Sequence, residues 1–298
     1  MALQLPALIS PEALHAALDA PSVCLRVLDA SAALATHGEA EPYTVEPLRA
    51  AYLEAHVPGA AFVDVTGELS DTTAAQLFTL PSAQALAAAF SGVGVGDDTH
   101  VVVYDNVGSA WATRVWWLLR WLGHDQVSVL DGGLGAWQAA GFATASGVAD
   151  DEAARATVAS LAPRERPELL ATLPDVERIA AGTAPGLLVN ALDPATYRGE
   201  QEVSPYPRRG RIPASRNLPL FTLLDPETGQ FLPADELRDR LQAGGVIGSG
   251  GAVTYCGGGI AATLPAFAAY VVAGAEVAVY DGSLSEWTSD ERRPVELG

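Results

Sequence analysis

The sequence predicts an α/β protein made by tandem duplication of one domain, each copy a parallel sheet with helices on both faces. Three observations predict it. Apolar β-branched runs alternate with alanine-rich helical stretches, the order that gives parallel strands under a helical cover. Asp131-Gly132 with Trp137 recurs as Asp281-Gly282 with Trp287, 150 residues on. Tyr104-Asp105 recurs as Tyr255-Cys256, 151 residues on. A period this long marks a duplicated domain, not a solenoid.

The elements follow in order. Pro11 to Asp19 reads as a helix, and Val23 to Ser31 as a strand with an acidic end. After a polar loop, Thr44 to Glu54 reads as a helix, and His56 to Asp64 as a turn entering a short strand. Pro81 to Phe90 is helical by its alanines. Thr99 to Tyr104 is a buried strand by its continuous β-branched run. Ala110 to Leu122 is a helix, Val127 to Leu130 a strand, and Leu134 to Ala140 a closing helix. The second half repeats this order: Leu187 to Asn190 matches the first strand, Gly210 to Leu218 the His56 turn, Ala252 to Tyr255 the Thr99 strand, and Val277 to Trp287 the stretch from Val127. The joint is placed at Thr144 to Glu168, which is charged and lacks an apolar period. The expected domains are therefore 1–145 and 165–298.

Composition narrows the function. The chain has 298 residues, 49% of them hydrophobic and 18% charged, enough to bury a sizeable core. Its net charge of −19 disfavours nucleic acid and acidic membranes as partners. The first residues lack a basic signal-peptide region, and no apolar run approaches the roughly 18 residues of a membrane span. Two cysteines, Cys24 and Cys256, make no disulfide framework and no zinc-type spacing, so a cytoplasmic location and no structural metal or cofactor are expected. All 17 basic residues are arginine, which excludes lysine-dependent chemistry.

The chemistry concentrates at Cys256. An apolar strand ends at this thiol, and Gly257, Gly258 and Gly259 follow. Ile260, Ala261 and Ala262 then open an apolar segment to Ala273 that reads as helix. Glycines let successive backbone N–H groups turn inward as an anion nest, and a helix start adds its dipole. Both suit a thiolate nucleophile. A buried, inert cysteine beside a flexible turn is the plain alternative. The first copy has Asp105 at the matching place, so it keeps the architecture and lacks the thiol. One catalytic and one silent copy, with ligands beyond the carboxyl ends of the strands, is the economical inference.

At this point the chain resembles the two-domain rhodanese-type sulfurtransferases, of thiosulfate and 3-mercaptopyruvate type. The matching stretches are LDAS (28–31), HVPGAAFVD (56–64), THVVVYD (99–105), TRVWWLLRWLGH (113–124), VSVLDGGLGAW (127–137), YRGE (197–200), TYCGGGIAA (254–262) and VAVYDGSLSEW (277–287). The resemblance implies two rhodanese-type domains, the second active through loop 256–262. It also implies a cysteine that takes a sulfane sulfur from a small anionic donor as a persulfide and passes it to cyanide or a thiol. Ping-pong kinetics would follow.

The departures bear on the donor. Thiosulfate-type loops carry a basic pair after the cysteine, where this chain has Gly257 and Gly258. Mercaptopyruvate-type loops carry hydroxyls that this loop lacks, and the associated histidine position falls on Phe78, while the partner aspartate persists as Asp64. Sulfite leaves without proton help and an enolate does not, so the losses lean towards thiosulfate. The usual substrate-arginine position is Thr196. Arg198, Arg209 and Arg211 are the candidates to replace it, with Arg208 and Arg216 weaker ones; each is weighed against an ordinary solvated arginine. Trp111 is a candidate cleft wall and more readily a core residue. Asp29, Asn190 and His56 read as structural, Cys24 as a buried strand cysteine, Trp116, Trp117 and Trp121 as core, and Asp131 and Asp281 as turn residues. A cysteine phosphatase would need arginine six residues after the thiol, where Ala262 stands. A sulfur-carrier or redox-sensing module remains as a non-catalytic alternative.

Overall fold

The computed structural model describes residues 5–20, 24–35, 44–202, 204–248 and 250–298. The first half runs β1 (Leu8–Ile9), α1 (Pro11–Leu18), β2 (Leu25–Asp29), β3 (Ala32–Ala35), β4 (Thr44–Pro47), α2 (Arg49–Glu54), β5 (Ala60–Phe62), α3 (Ala83–Ser91), β6 (His100–Tyr104), α4 (Ala110–Trp121), β7 (Val127–Leu130), α5 (Gly133–Ala139) and α6 (Ala149–Arg155). The second runs β8 (Leu170–Ala171), α7 (Leu173–Ala180), β9 (Leu187–Asn190), α8 (Pro194–Arg198), β10 (Arg216–Asn217), α9 (Ala234–Gly244), β11 (Ala252–Tyr255), α10 (Thr263–Ala273), β12 (Ala278–Tyr280) and α11 (Ser283–Trp287).

Two parallel five-stranded sheets result, in the orders β1-β7-β6-β2-β5 and β8-β12-β11-β9-β10. Reading across, every strand of one sheet has its counterpart in the other, as the repeat requires. Residue alternation along the strands decides the layers. Val102 faces a core with Leu14, Tyr52 and Trp137, beneath α1, α2 and α5. Val101 and Val103 face the opposite way, into a core that continues through α3, α4, α9 and α10 into the second half. Val176, Val253 and Trp287 form the outer core of the second sheet.

Three expectations are corrected. Thr44–Pro47 is not helical but pairs antiparallel with Ala32–Ala35, and the helix begins only at Arg49. The β-branched Thr44 and Val45 favour extended backbone, as does the residue preceding Pro47. The helix after the cysteine begins at Thr263, because 257–262 are spent on a loop. The stretch around 150 is folded: α6 packs on the first sheet, where Asp151 pairs with Arg49 at 2.7 Å and Arg155 donates to the Phe62 carbonyl at 2.9 Å. Among the described residues no helix is long and apolar enough to cross a membrane.

The halves meet chiefly through α4 and α10. Trp116 sits edge-on to Phe267 with ring centres 5.0 Å apart, and the Thr113 and Thr263 hydroxyls lie 2.9 Å apart. Trp116 and Phe267 are 151 residues apart, the offset of the repeat in this unit, so their contact lies on a local pseudo-twofold axis.

Candidate active site

Cys256 stands at the carboxyl end of β11, a strand buried at every residue. The thiol is itself buried, with 2% of the residue exposed. The loop behind it is tied to the turn after β12. The Cys256 amide donates to Ser283 Oγ at 3.0 Å, and the Gly257 carbonyl accepts from the Ser285 amide at 2.9 Å and its hydroxyl at 2.8 Å. Among the described residues, the amides from Gly257 to Ala262 donate to no other protein group. Gly257 to Ile260 and Ala262 are buried, so these donors wait for an acceptor that enters the cleft.

The first half displays such a cradle filled. The Asp105 carboxylate accepts the amides of Val107 at 2.7 Å, Ser109 at 3.0 Å and Ala112 at 2.8 Å. Burial raises the pKa of Asp105, and these amides pull it back down. The loop architecture therefore offers backbone amides to an acceptor at its first residue.

Glycine is required at two loop positions. A Cβ on Gly257 would overlap the Tyr206 hydroxyl. Gly259 has φ +82, and a Cβ there would lie 2.7 Å from the Asp281 carbonyl oxygen. Gly258 packs beneath the Phe78 ring, and Phe78 meets Trp111 edge-on at 5.6 Å. Both aromatic residues are buried, so Trp111 is at once core and part of the wall behind Phe78.

The candidate arginines are engaged elsewhere. Arg198 pairs with Glu200 through two bonds of 2.6 and 2.9 Å. Arg211 lies over the Tyr197 ring at 4.7 Å and is held by Glu296 and the Gly298 carbonyl. Arg208 donates to the carbonyls of Thr288 and Asp290. Arg209 donates to the Gln201 carbonyl at 3.0 Å and lines a cavity of about 510 Å³ with Glu202, Ser204 and Tyr206. That cavity adjoins the cysteine loop through Tyr206. Arg216 is exposed, and Thr196 bonds Asp193 and Gln201.

Two residues at the loop escaped the sequence reading. Ser283, with φ +49, brings its hydroxyl within 3.9 Å of Cys256 Sγ. Its signal was available: its repeat partner is Gly133, where a Cβ would overlap the Asp105 carbonyl. Arg114, from the first half, donates to Asp281 at 2.6 Å and to the Gly259 carbonyl at 3.3 Å. Only the tertiary fold brings it there. Asp131 and Asp281 do more than form turns, since each accepts a backbone amide of the opposite half at 2.8 Å, from Phe231 and Leu80 respectively.

The remaining expectations resolve simply. Asp29 and Asn190 accept the amides of Ser31 and Leu192, and His56 bonds the Tyr52 carbonyl and stacks on its ring. Asp64 accepts from Thr66 and Gly67 in its own turn. Cys24 is exposed rather than buried, because β2 begins one residue later. Among the described residues no metal-type cluster occurs.

Comparison with known proteins agrees with this geometry. Residues 10–140 match the rhodanese-like domain family. The thiosulfate/3-mercaptopyruvate sulfurtransferase 2 of Arabidopsis thaliana is 33% identical over 91% of this chain and 81% of its own length. The thiosulfate sulfurtransferase of Cricetulus griseus is 37% identical over 88% of this chain and 84% of its own. The crystal structure of a 3-mercaptopyruvate sulfotransferase from Escherichia coli superposes with a TM-score of 0.76 at 27% identity, covering 94% of this chain and 99% of that one. The two parallel-sheet domains have the fold of the rhodanese class. The chain belongs to the thiosulfate/3-mercaptopyruvate sulfurtransferase family and is a sulfurtransferase.

Proposed function

We propose that residues 165–298 form the catalytic domain and 1–145 its silent copy, with Cys256 as the sulfur-carrying nucleophile and thiosulfate as the donor. The Cys256 thiolate attacks the outer sulfur of thiosulfate. The bond between that sulfur and the sulfonate sulfur breaks, and sulfite leaves with the electron pair. The new persulfide carries its negative charge into the amide cradle of Gly257, Gly258, Gly259, Ile260, Ala261 and Ala262, which acts on sulfur as an oxyanion hole acts on oxygen. Cyanide or a thiolate then takes the outer sulfur and restores the Cys256 thiolate.

The observation that carries this reading is the row of unpartnered amides beside a buried thiol. Filling of the matching cradle by Asp105 supports it. The preference for thiosulfate rests on a loop without the hydroxyls, and on Phe78 in place of the histidine, that an enolate leaving group calls for. Likeness to the E. coli enzyme favours 3-mercaptopyruvate as the second reading, and the Ser283 hydroxyl is the nearest proton donor for it. Of the three arginines, Arg209 is assigned to the donor anion, since its cavity adjoins the loop; Arg198 and Arg211 are assigned to holding the turn around 199–211. Two unpaired cysteines support a cytoplasmic setting, and the net charge of −19 supports small-molecule rather than nucleic-acid partners.

Steady-state rates with each donor test the assignment. Thiosulfate is expected to give the larger kcat/KM; a larger value with 3-mercaptopyruvate overturns it. Mass spectrometry after donor exposure should show one added sulfur on Cys256, discharged by cyanide.

A further inference from the structure

The contact between the halves is pseudo-symmetric at several points. Trp116 meets Phe267, its counterpart 151 residues on, and Asp131 and Asp281 each reach a backbone amide across the interface. The loop glycines Gly108 and Gly259 correspond, with φ of +79 and +82. Phe78 and Gly229 correspond as well, with φ of +62 and +68. The symmetry breaks two residues before that aromatic pair. Arg114 stands in α4, and its counterpart 151 residues on is Pro265. One interface loop therefore receives a guanidinium and the other does not, and the loop that receives it bears the cysteine.

Arg114 is fully buried. It donates to Asp281 Oδ1 at 2.6 Å, to the Gly259 carbonyl at 3.3 Å and to the Phe78 carbonyl at 2.7 Å, and its guanidinium lies 4.8 Å from the centre of the Trp117 ring. It thus joins the cysteine loop, the turn after β12 and the aromatic wall. The Asp281 carboxylate neutralises its charge, so its effect on the site is directional rather than a general attraction for anions.

The direction follows from peptide geometry. In a trans peptide the carbonyl of Gly259 and the N–H of Ile260 point opposite ways. Gripping that carbonyl fixes where the Ile260 N–H points. Gly258 and Gly259 in succession make rotation of a peptide plane easy, and a rotated plane would turn a carbonyl towards the sulfur anion. We propose that Arg114, supplied by the silent half, is a positioning residue for sulfur transfer. It holds the Gly259 carbonyl out of the cradle so that the loop amides face the charge on Cys256. This rests on the Cys256 persulfide reading.

The test uses the full chain with Arg114→Met, Arg114→Lys, and Arg114→Met combined with Asp281→Asn, which leaves no orphaned carboxylate. Two quantities are read: persulfide formation in a single turnover, by mass, and the ratio of Cys256 alkylation by anionic iodoacetate to that by neutral iodoacetamide. Loss of positioning should slow persulfide formation by about 100-fold. It should also lower the iodoacetate ratio by at least about tenfold while iodoacetamide changes little, with Arg114→Lys intermediate. A folded double variant with the wild-type ratio and rate overturns the proposal, as does equal slowing with both reagents, which marks packing alone. If the methionine variants do not fold, the same two readings on Arg114→Lys decide. A mistaken persulfide reading would show separately, in wild-type protein that gains no sulfur.

Discussion

Cys256, Gly257 and Tyr206 carry the predictions made for single residues. Cys256→Ser should abolish transfer from any donor, measured as thiocyanate release, whereas Cys24→Ser should retain it, since Cys24 is an exposed residue before β2. Gly257→Ala forces its Cβ into the Tyr206 hydroxyl. We expect kcat/KM to fall by about 10- to 100-fold, the usual consequence of a reacting group displaced by about an ångström. Adding Tyr206→Ala removes the ring and hydroxyl it meets and should recover part of the loss in the same assay.

The strand–loop–helix unit occurs twice and is satisfied in two ways. In the first half the Asp105 carboxyl accepts the loop amides; in the second, Cys256 leaves the amides open. Asp105→Ala would orphan two buried amides, those of Ser109 and Ala112, and should destabilise the protein by about 2–4 kcal/mol, read as a urea midpoint. Activity per folded molecule should stay within about threefold, because the silent loop lies outside the reacting centre. Strands β6 and β7 add a pH dependence. Burial, with His124 nearby, lowers the His100 pKa from 6.5 to about 4, and its ring bonds Ser128 at 2.8 Å. Above pH 6.5 both folded and unfolded forms are neutral there, and the contribution is complete. Between 6.5 and 4 the unfolded chain takes up a proton that the native state refuses, so stability falls as pH falls. His100→Gln should flatten this arm of a melting-temperature profile. Asp29 and Asp105, raised by burial, act in the opposite sense, so the difference between variant and wild type isolates His100.

The molecule as a whole works through a shared core. The apolar layer between the sheets runs unbroken from Val101 and Trp116 to Phe267 and Val279. Residues 165–298 expressed alone would expose the α10 face and lose Phe78 and Arg114 from the loop. We expect that fragment to aggregate and to form no persulfide by mass. Duplication therefore supplies more than a spare copy: the first half provides Phe78 and Arg114 to the Cys256 loop.

The fold was legible in the sequence because buried parallel strands leave long β-branched runs, and because the repeat at Asp131 and Asp281 survives. Thr44 to Pro47 was misread because a short polar strand carries no such run. Cys256 and its loop were legible because strand, thiol, glycines and helix are consecutive. By itself the sequence determined the duplicated parallel-sheet architecture and which half bears Cys256 and its glycine loop. Tertiary structure decided what surrounds that thiol: Ser283 from the turn after β12, Tyr206 over Gly257, and Phe78 and Arg114 from the other half. The physical reason is range. Local pattern records backbone propensity and burial, whereas Arg114 meets the Gly259 carbonyl across 145 residues, only after both sheets have packed on one core.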